Sequence, residues 1–389
     1  MSRIFTFCLC LFAITISSAK STLYAHNSQI LDQGDPTQAD PSDPTPPVIS
    51  DPTDPPSDVA PSVEDYELQN GIDTSSKSII ITTLPVRVGT IAVGGDGFWD
   101  YLNIDSVTQK LYVSHSTKVV VIDLKTQKVL HEILNTSGVH GITFSDELHR
   151  GFISCGKDSS VTVFDTRNDS TIASIKPTGR NPDAILFDPY SKKVFTFNGG
   201  SHDASVIDAV NLTVIGTIPL SGKPEFAASD VKGRVFVNIE DKSVVAVIDV
   251  KTLKVKSEWS LAPCEEPSSM AIDRKHHRLF VGCHNRLMAV INYDNGHLIT
   301  SETIGKGVDA SWFDNKNQMV FCSCGDGTLS AILEKSPDEY EVAGTVNTEM
   351  GARTMALDER THRLYLPAKP GMDSKTRTGG NFQILVYKQ

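Results

Sequence analysis

From Pro85 onward the chain alternates short apolar runs with turn residues. In Gly222–Leu261, four runs, Glu225–Ser229, Arg234–Asn238, Val244–Asp249 and Val255–Ser260, are rich in β-branched and aromatic residues and are separated by Gly, Asp and Lys-Thr turns. This pattern predicts four antiparallel strands. The same unit recurs seven times. An acid closes the first run at Asp105, Asp188, Asp230, Asp273, Asp314 and Asp358, with Ser145 in the second slot, so the repeat length stays between 40 and 44 residues. The second run carries an aromatic at Tyr112, Phe152, Phe195, Phe236, Phe280, Phe321 and Tyr365. The third is a Val/Ile run closing at Asp123, Asp165, Asp208 and Asp249, then degenerating to Asn292, Leu333 and about Tyr387. Four strands in a period near 42 residues predict an all-β chain folded as a seven-bladed β-propeller, each sheet buried on both faces by its neighbours. Burial on both faces is why third strands such as Val119–Ile122 are continuously apolar and do not alternate.

The last repeat runs out at Gln389 after its third strand, while an unpartnered strand-like segment, Pro85–Val93, precedes the first. That N-terminal segment is expected to supply the outer strand of blade seven, closing the ring without a covalent bond. The propeller then occupies residues 84–389.

Upstream the composition changes. Met1–Ala19 has one cation, Arg3, then an apolar stretch, Ile4–Ile16, and the small residues Ser17, Ser18 and Ala19. It reads as a cleaved secretory signal, with an alternative cut after Ala25, and is too short to span a bilayer. Residues 26–63 are dominated by Asp, Pro, Thr and Ser. They cannot bury enough apolar surface to offset chain entropy, so a disordered acidic linker is expected. The protein is thus expected to be exported, periplasmic or extracellular for a bacterial source, monomeric, and without a transmembrane segment. A formal net charge of −11 with no basic run argues against nucleic acid as a partner.

Export leaves Cys155, Cys264, Cys283, Cys322 and Cys324, an odd count. Cys264 precedes the inner strand of blade five and Cys283 ends the adjacent antiparallel strand at the same edge, making them the best disulfide pair. Cys322 and Cys324, two apart on one strand, are not expected to bridge, and no C-x-x-C spacing supports metal ligation.

Candidate chemistry comes from superposing the repeats. At the start of the inner strand, which lines a propeller's channel, the equivalent residues are Asp100, His140, Asp183, Glu225, Ser268, Asp309 and Arg353. All seven are polar, and the preceding residues, Trp99, Val139, Pro182, Pro224, Pro267, Val308 and Ala352, are all apolar. A polar lining suits any wet channel. Crowded carboxylates repel one another unless a cation, a proton or an arginine intervenes, however. The ring is therefore the expected ligand-binding mouth, for a cationic small molecule or a divalent metal, with Asp100, His140 and Asp183 as the metal ligands. Trp99 and Phe98 are candidates to stack on a ligand, and His115, Asn198, Glu240 and His284 are placed near the same mouth. The Ala368–Asn381 insertion in blade seven is expected to overhang it as a mobile loop. On the opposite edge, Lys110, Arg150, Lys193, Arg234, Arg278 and Arg363 precede the second-strand aromatics and are expected to pair with the closing acids of their own hairpins.

No G-x-S-x-G, HExxH or C-x-x-C-H motif occurs, and Gly94–Gly97 lacks the Lys-Ser/Thr of a phosphate loop. The repeated motifs LYVS at Leu111, VFVN at Val235 and LFVG at Leu279, with VVVID at Val119 and VAVID at Val245, resemble those of YVTN-type seven-bladed propellers. The likeness is to the exported YncE-like proteins of bacteria in particular, and covers residues 84–389. Proteins of this type include surface and periplasmic binding proteins, and related propellers carry amine dehydrogenase subunits and lactonases. The resemblance also implies an association with DNA, which the carboxylate ring argues against. The expected function is a ligand-binding or protein-interaction module with a small-molecule or protein partner. The alternative is a metal-dependent hydrolase of lactonase or esterase type, or a redox-enzyme subunit, using the same mouth.

Overall fold

The structure is a computed structural model that describes residues 83–371 and 379–389. The expected signal, the linker and half of the blade-seven insertion, residues 372–378, lie outside the described residues. Seven four-stranded antiparallel sheets follow one another around a ring. The inner strands are Trp99–Asp105, Val139–Ser145, Pro182–Asp188, Pro224–Ser229, Pro267–Asp273, Val308–Asp314 and the short Ala356–Asp358. Blade seven takes its outer strand from the N-terminal side of the ring. Val86–Ala92 pairs antiparallel with Gln383–Lys388, with Ile91 opposite Ile384. The closure read from the unpartnered segment is therefore present, and Ile91 anchors it in the apolar layer between blades seven and one.

One buried apolar cluster fills each of the seven blade–blade interfaces. The seven repeated aromatics are all fully buried, and each is worth about 1.5–3 kcal/mol of burial. The recurrent acid at the end of the inner strand is explained by turn chemistry. The side chains of Asp105, Asp230, Asp273, Asp314 and Asp358 accept the backbone N–H two residues on, at 2.8–3.1 Å, which fixes the hairpin.

The bases before the aromatics do something other than expected. Lys110 bonds Asp169 and the Thr166 carbonyl, Arg150 the Ala209 and Val210 carbonyls, Arg234 the Tyr293 carbonyl, and Arg278 the Pro337 carbonyl and Asp338. Each partner lies in the turn between the third and fourth strands of the next blade. Of these four only Arg234 also binds its own closing acid, Asp230, at 2.7 Å. Lys110, Arg150 and Arg278 thus join blades, and Arg234 both joins blades and reinforces its own hairpin.

Cys264 and Cys283 lie in one buried cluster, where the Cys283 thiol donates to the Val281 carbonyl at 3.7 Å. Both are free thiols, however, not the expected disulfide. They point into the apolar layer between blades four and five, where they pack as small hydrophobes. Cys155, Cys322 and Cys324 are also free and buried.

Candidate functional site

Six inner strands open with the same local irregularity. Strand register shifts between Trp99 and Leu102, Val139 and Ile142, Pro182 and Ile185, Pro224 and Ala227, Pro267 and Ser269, and Val308 and Ala310. The residue after each apolar opening position sits in this bulge, a device that re-aims a side chain, here toward the channel. The neighbouring blade then holds the backbone. Ser114 donates to the His140 carbonyl, Ser154 to that of Asp183, and Thr354 to that of Asp100 at 2.7 Å.

All seven ring residues consequently line one cavity of about 440 Å³ at the mouth of the channel, together with Tyr101, Lys223, Glu240 and His284. Beneath it a second cavity of about 210 Å³, lined mainly by apolar inner-strand side chains, occupies the channel. Tyr101 also lines this lower cavity, where its ring meets that of Phe226 at a centroid distance of 5.4 Å.

The charges in the mouth are arranged in linked groups. His140 Nδ1 is 2.6 Å from Asp100 Oδ2 and 3.7 Å from Asp183 Oδ1. Arg353 Nε is 2.9 Å from Asp309 Oδ2, whose other oxygen accepts the Ser268 hydroxyl at 3.0 Å. Lys223 Nζ bridges Glu225 at 2.6 Å and Glu240 at 2.5 Å. Five carboxylates, Asp100, Asp183, Glu225, Glu240 and Asp309, thus face the cations His140, Lys223 and Arg353 in one cavity.

The excess of acids shifts their protonation. Burial raises Asp183 to about 7, the pull of His140 only partly offsetting it while Asp100 and Asp309 push it further up. Burial and the Asp183 charge raise Glu225 to about 8 despite Lys223. Burial also raises Asp309, against the attraction of Arg353. Burial alone would depress His140, but the Asp100 hydrogen bond and the charges of Asp183, Asp100 and Glu225 outweigh it and lift the imidazole to about 9. Burial and four surrounding carboxylates raise the Tyr101 phenol. Near neutral pH the mouth therefore holds an imidazolium among carboxyls that ionise reluctantly. Any added cation would relieve that repulsion. Asp100, His140 and Asp183 each offer one donor atom, all within 4.8 Å of one another.

Several candidates lie elsewhere. Trp99 does not line the mouth: it stacks on Phe382 at 5.2 Å, and His115 stacks on the same ring at 4.6 Å. His115 is buried and its ring nitrogens have no hydrogen-bond partner, so burial lowers its pKa and favours the neutral imidazole. Asn198 is tied to Asp203 and Ser205. The same register shifts that turn the ring residues inward turn the preceding positions into the blade. Lys223 and Tyr101, which complete the mouth, flank ring positions in sequence, and Lys223 was detectable as a base two residues before Glu225.

No family model matches the chain. Two Salmonella proteins, one from Salmonella typhimurium and one from Salmonella typhi, both bearing the name Uncharacterized protein YncE, are 28% identical over 149 residues. That alignment covers 36% of this chain, which spans 42% of the length of the curated relatives it matches. Among solved structures, hydrazine synthase of Kuenenia stuttgartiensis superposes with a TM-score of 0.61 and 14% identity, covering 79% of this chain and 99% of that one, a likeness of fold alone. Among the described residues no helix is long and apolar enough to cross a membrane. The repeat motifs, the seven closed blades and the Salmonella matches together fit a YncE-like family of β-propellers.

Proposed function

We propose that this protein is an exported binding module that takes up a small cation at the channel mouth. The observation that carries the reading is the convergence of five carboxylates on one cavity of about 440 Å³ that they share with two permanent cations, Lys223 and Arg353, and two imidazoles, His140 and His284. A divalent metal would use Asp100, His140 and Asp183; a protonated amine would sit over Asp183 and Glu225 with its carbon skeleton against Tyr101. Export rests on the Met1–Ala19 sequence. The acidic mouth makes nucleic acid the wrong partner for this surface.

Binding requires ionised carboxylates, so affinity should rise as pH passes from 6 to 8 through the Asp183 value of about 7. Calorimetric titration with Ca²⁺, Mn²⁺, Zn²⁺ and alkylammonium ions, for the wild type and Asp183→Asn, tests the proposal. An equivalent of bound cation that strengthens with pH and is missing from the variant supports it, whereas equal uptake by the two proteins, or no binding to any of these cations, removes it. A carboxyl near 7 beside an imidazole near 9 is also an acid–base pair suited to hydrolysis. Turnover of lactones or esters abolished by Asp183→Asn would place the protein in that second class.

A further inference from the structure

At the edge of the ring remote from the mouth, one turn departs from the repeat twice at the same point. In four blades the closing acid's second oxygen is satisfied by the residue three positions on: Thr108 on Asp105, Ser191 on Asp188, Asn317 on Asp314 and Thr361 on Asp358, at 2.6–3.1 Å. In blade five that residue is His276. The second departure is in blade six. The residue after the third strand's closing position, identified by its backbone N–H bond to the residue before the second strand, is Leu124, Thr166, Ala209, Val250 and Tyr293 in blades one to five and Glu334 in blade six. A carboxylate thus stands in a slot that is buried in every one of those blades.

The two departures meet. His276 Nδ1 is 2.6 Å from Asp273 Oδ2 and 3.6 Å from Glu334 Oε1, and one donor atom from each residue falls within 4.8 Å of the others. Asp273 and Glu334 are 1% and 2% exposed. Even so, Asp273 Oδ2 and His276 Nδ1 have only each other, in an ion pair without good hydrogen-bond alignment, and Glu334 Oε2 has no hydrogen-bond partner, which leaves the cluster costly to bury. The outer wall is rigid. Tyr340 donates to Glu334 Oε1 at 2.9 Å, and Arg278 holds the His276 carbonyl at 2.8 Å and the Pro337 carbonyl at 2.7 Å. Burial and the adjacent Asp273 raise the Glu334 carboxyl, against the Tyr340 hydrogen bond and the attraction of His276.

We propose that Asp273, His276 and Glu334 form a binding site for one divalent transition-metal ion of the zinc or manganese class, joining blades five and six. One imidazole and two carboxylates are a donor set for such ions, and ligands on tetrahedral zinc stand roughly 3.4 Å apart; the His276–Glu334 pair at 3.6 Å is already near that spacing, and the His276–Asp273 pair at 2.6 Å opens on binding. Metal binding gives the unpartnered Glu334 Oε2 a partner and replaces the poorly aligned Asp273–His276 pair with two metal–ligand bonds. Tyr340 orients Glu334 as an outer hydrogen-bond partner orients a ligand. The site is separate from the mouth, whose residues it does not share.

The test uses the full chain carrying Asp183→Asn, so that metal held at the mouth is not counted. After chelator treatment the protein is titrated with Zn²⁺ and Mn²⁺ by calorimetry and with Co²⁺ by visible absorption, which reports ligand geometry. His276→Asn is the comparison variant, because asparagine at this turn position already works in blade six with Asp314 and should leave the fold intact. One equivalent of metal in the Asp183→Asn protein, weakened at least 100-fold by adding His276→Asn or Glu334→Gln, is the expected result. No uptake of any of the three ions, or uptake unchanged in both variants, overturns the proposal.

Discussion

Replacing Asp183 by Asn isolates the energetic character of the mouth. Asp183 ionises near 3.8 when unperturbed and near 7 in the folded protein, because its largely desolvated side chain lies beside Asp100 and Asp309. The folded state therefore holds a proton that the unfolded chain releases between those two values. The sign follows: this group's contribution to stability is complete below about pH 4 and is lost as pH rises to 7. About three pKa units at 1.36 kcal/mol each make the ionised carboxylate a burden of about 4 kcal/mol above pH 7. Coupling to Glu225 and His140 shares that figure among the three, which titrate as a group. Asparagine has the same shape and no charge. Urea unfolding of the chelator-treated wild type and Asp183→Asn should therefore give similar stabilities near pH 3.5, a variant already about 1–2 kcal/mol more stable at pH 5, and one about 2–4 kcal/mol more stable at pH 8.5. The same substitution removes a charge that supports the imidazolium, so the His140 ring should titrate below its wild-type value of about 9, as read by proton NMR. Parallel pH–stability curves for the two proteins would refute the argument, since they would mean that Asp183 is ionised without cost.

Other consequences are sharply testable. Lys223→Ala should strengthen cation binding at the mouth about tenfold by freeing Glu225 and Glu240 from their ion pair, measured by calorimetry at pH 8. Ile91→Ala, which leaves a cavity in the strand closing blade seven, should cost about 2–4 kcal/mol in urea unfolding; a neutral result would mean that Val86–Ala92 does not hold the ring shut. Arg278→Ala should cost about 1.5–3 kcal/mol, because it strips hydrogen-bonded charge from the blade five–six edge. Native protein should react slowly with a thiol reagent and expose Cys155, Cys264, Cys283, Cys322 and Cys324 as free thiols on unfolding; two fewer would show Cys264 and Cys283 bridged.

The architecture was readable because a repeat offers seven measurements of the same environment. Superposing the closing acids places Asp100, His140, Asp183, Glu225, Ser268, Asp309 and Arg353 at one position, and the fold brings all seven to one cavity. What periodicity misses is whatever crosses between repeats. Lys110, Arg150 and Arg278 reach partners 59 or 60 residues on, in the next blade, whereas inspection along the chain finds only their own hairpin acids. Trp99 and His115 were misplaced for a related reason. A register shift after Trp99 separates adjacent residues onto different sides, so Asp100 enters the mouth while Trp99 packs on Phe382. His276 and Glu334 carry a signal that can be seen only by asking where a repeat breaks its own pattern, and the meeting of the two breaks is a property of the ring.

The most direct measurement for the account as a whole is calorimetric titration of cations into chelator-treated full-length His276→Asn protein at pH 6 and pH 8, in which binding at the mouth is the only event expected. The account predicts a single site for a divalent ion or an alkylammonium ion, stronger at pH 8 and lost when Asp183→Asn is added. No heat of binding from any of these cations at either pH would contradict it, and would make the carboxylates around Asp183 no more than the lining of a wet channel.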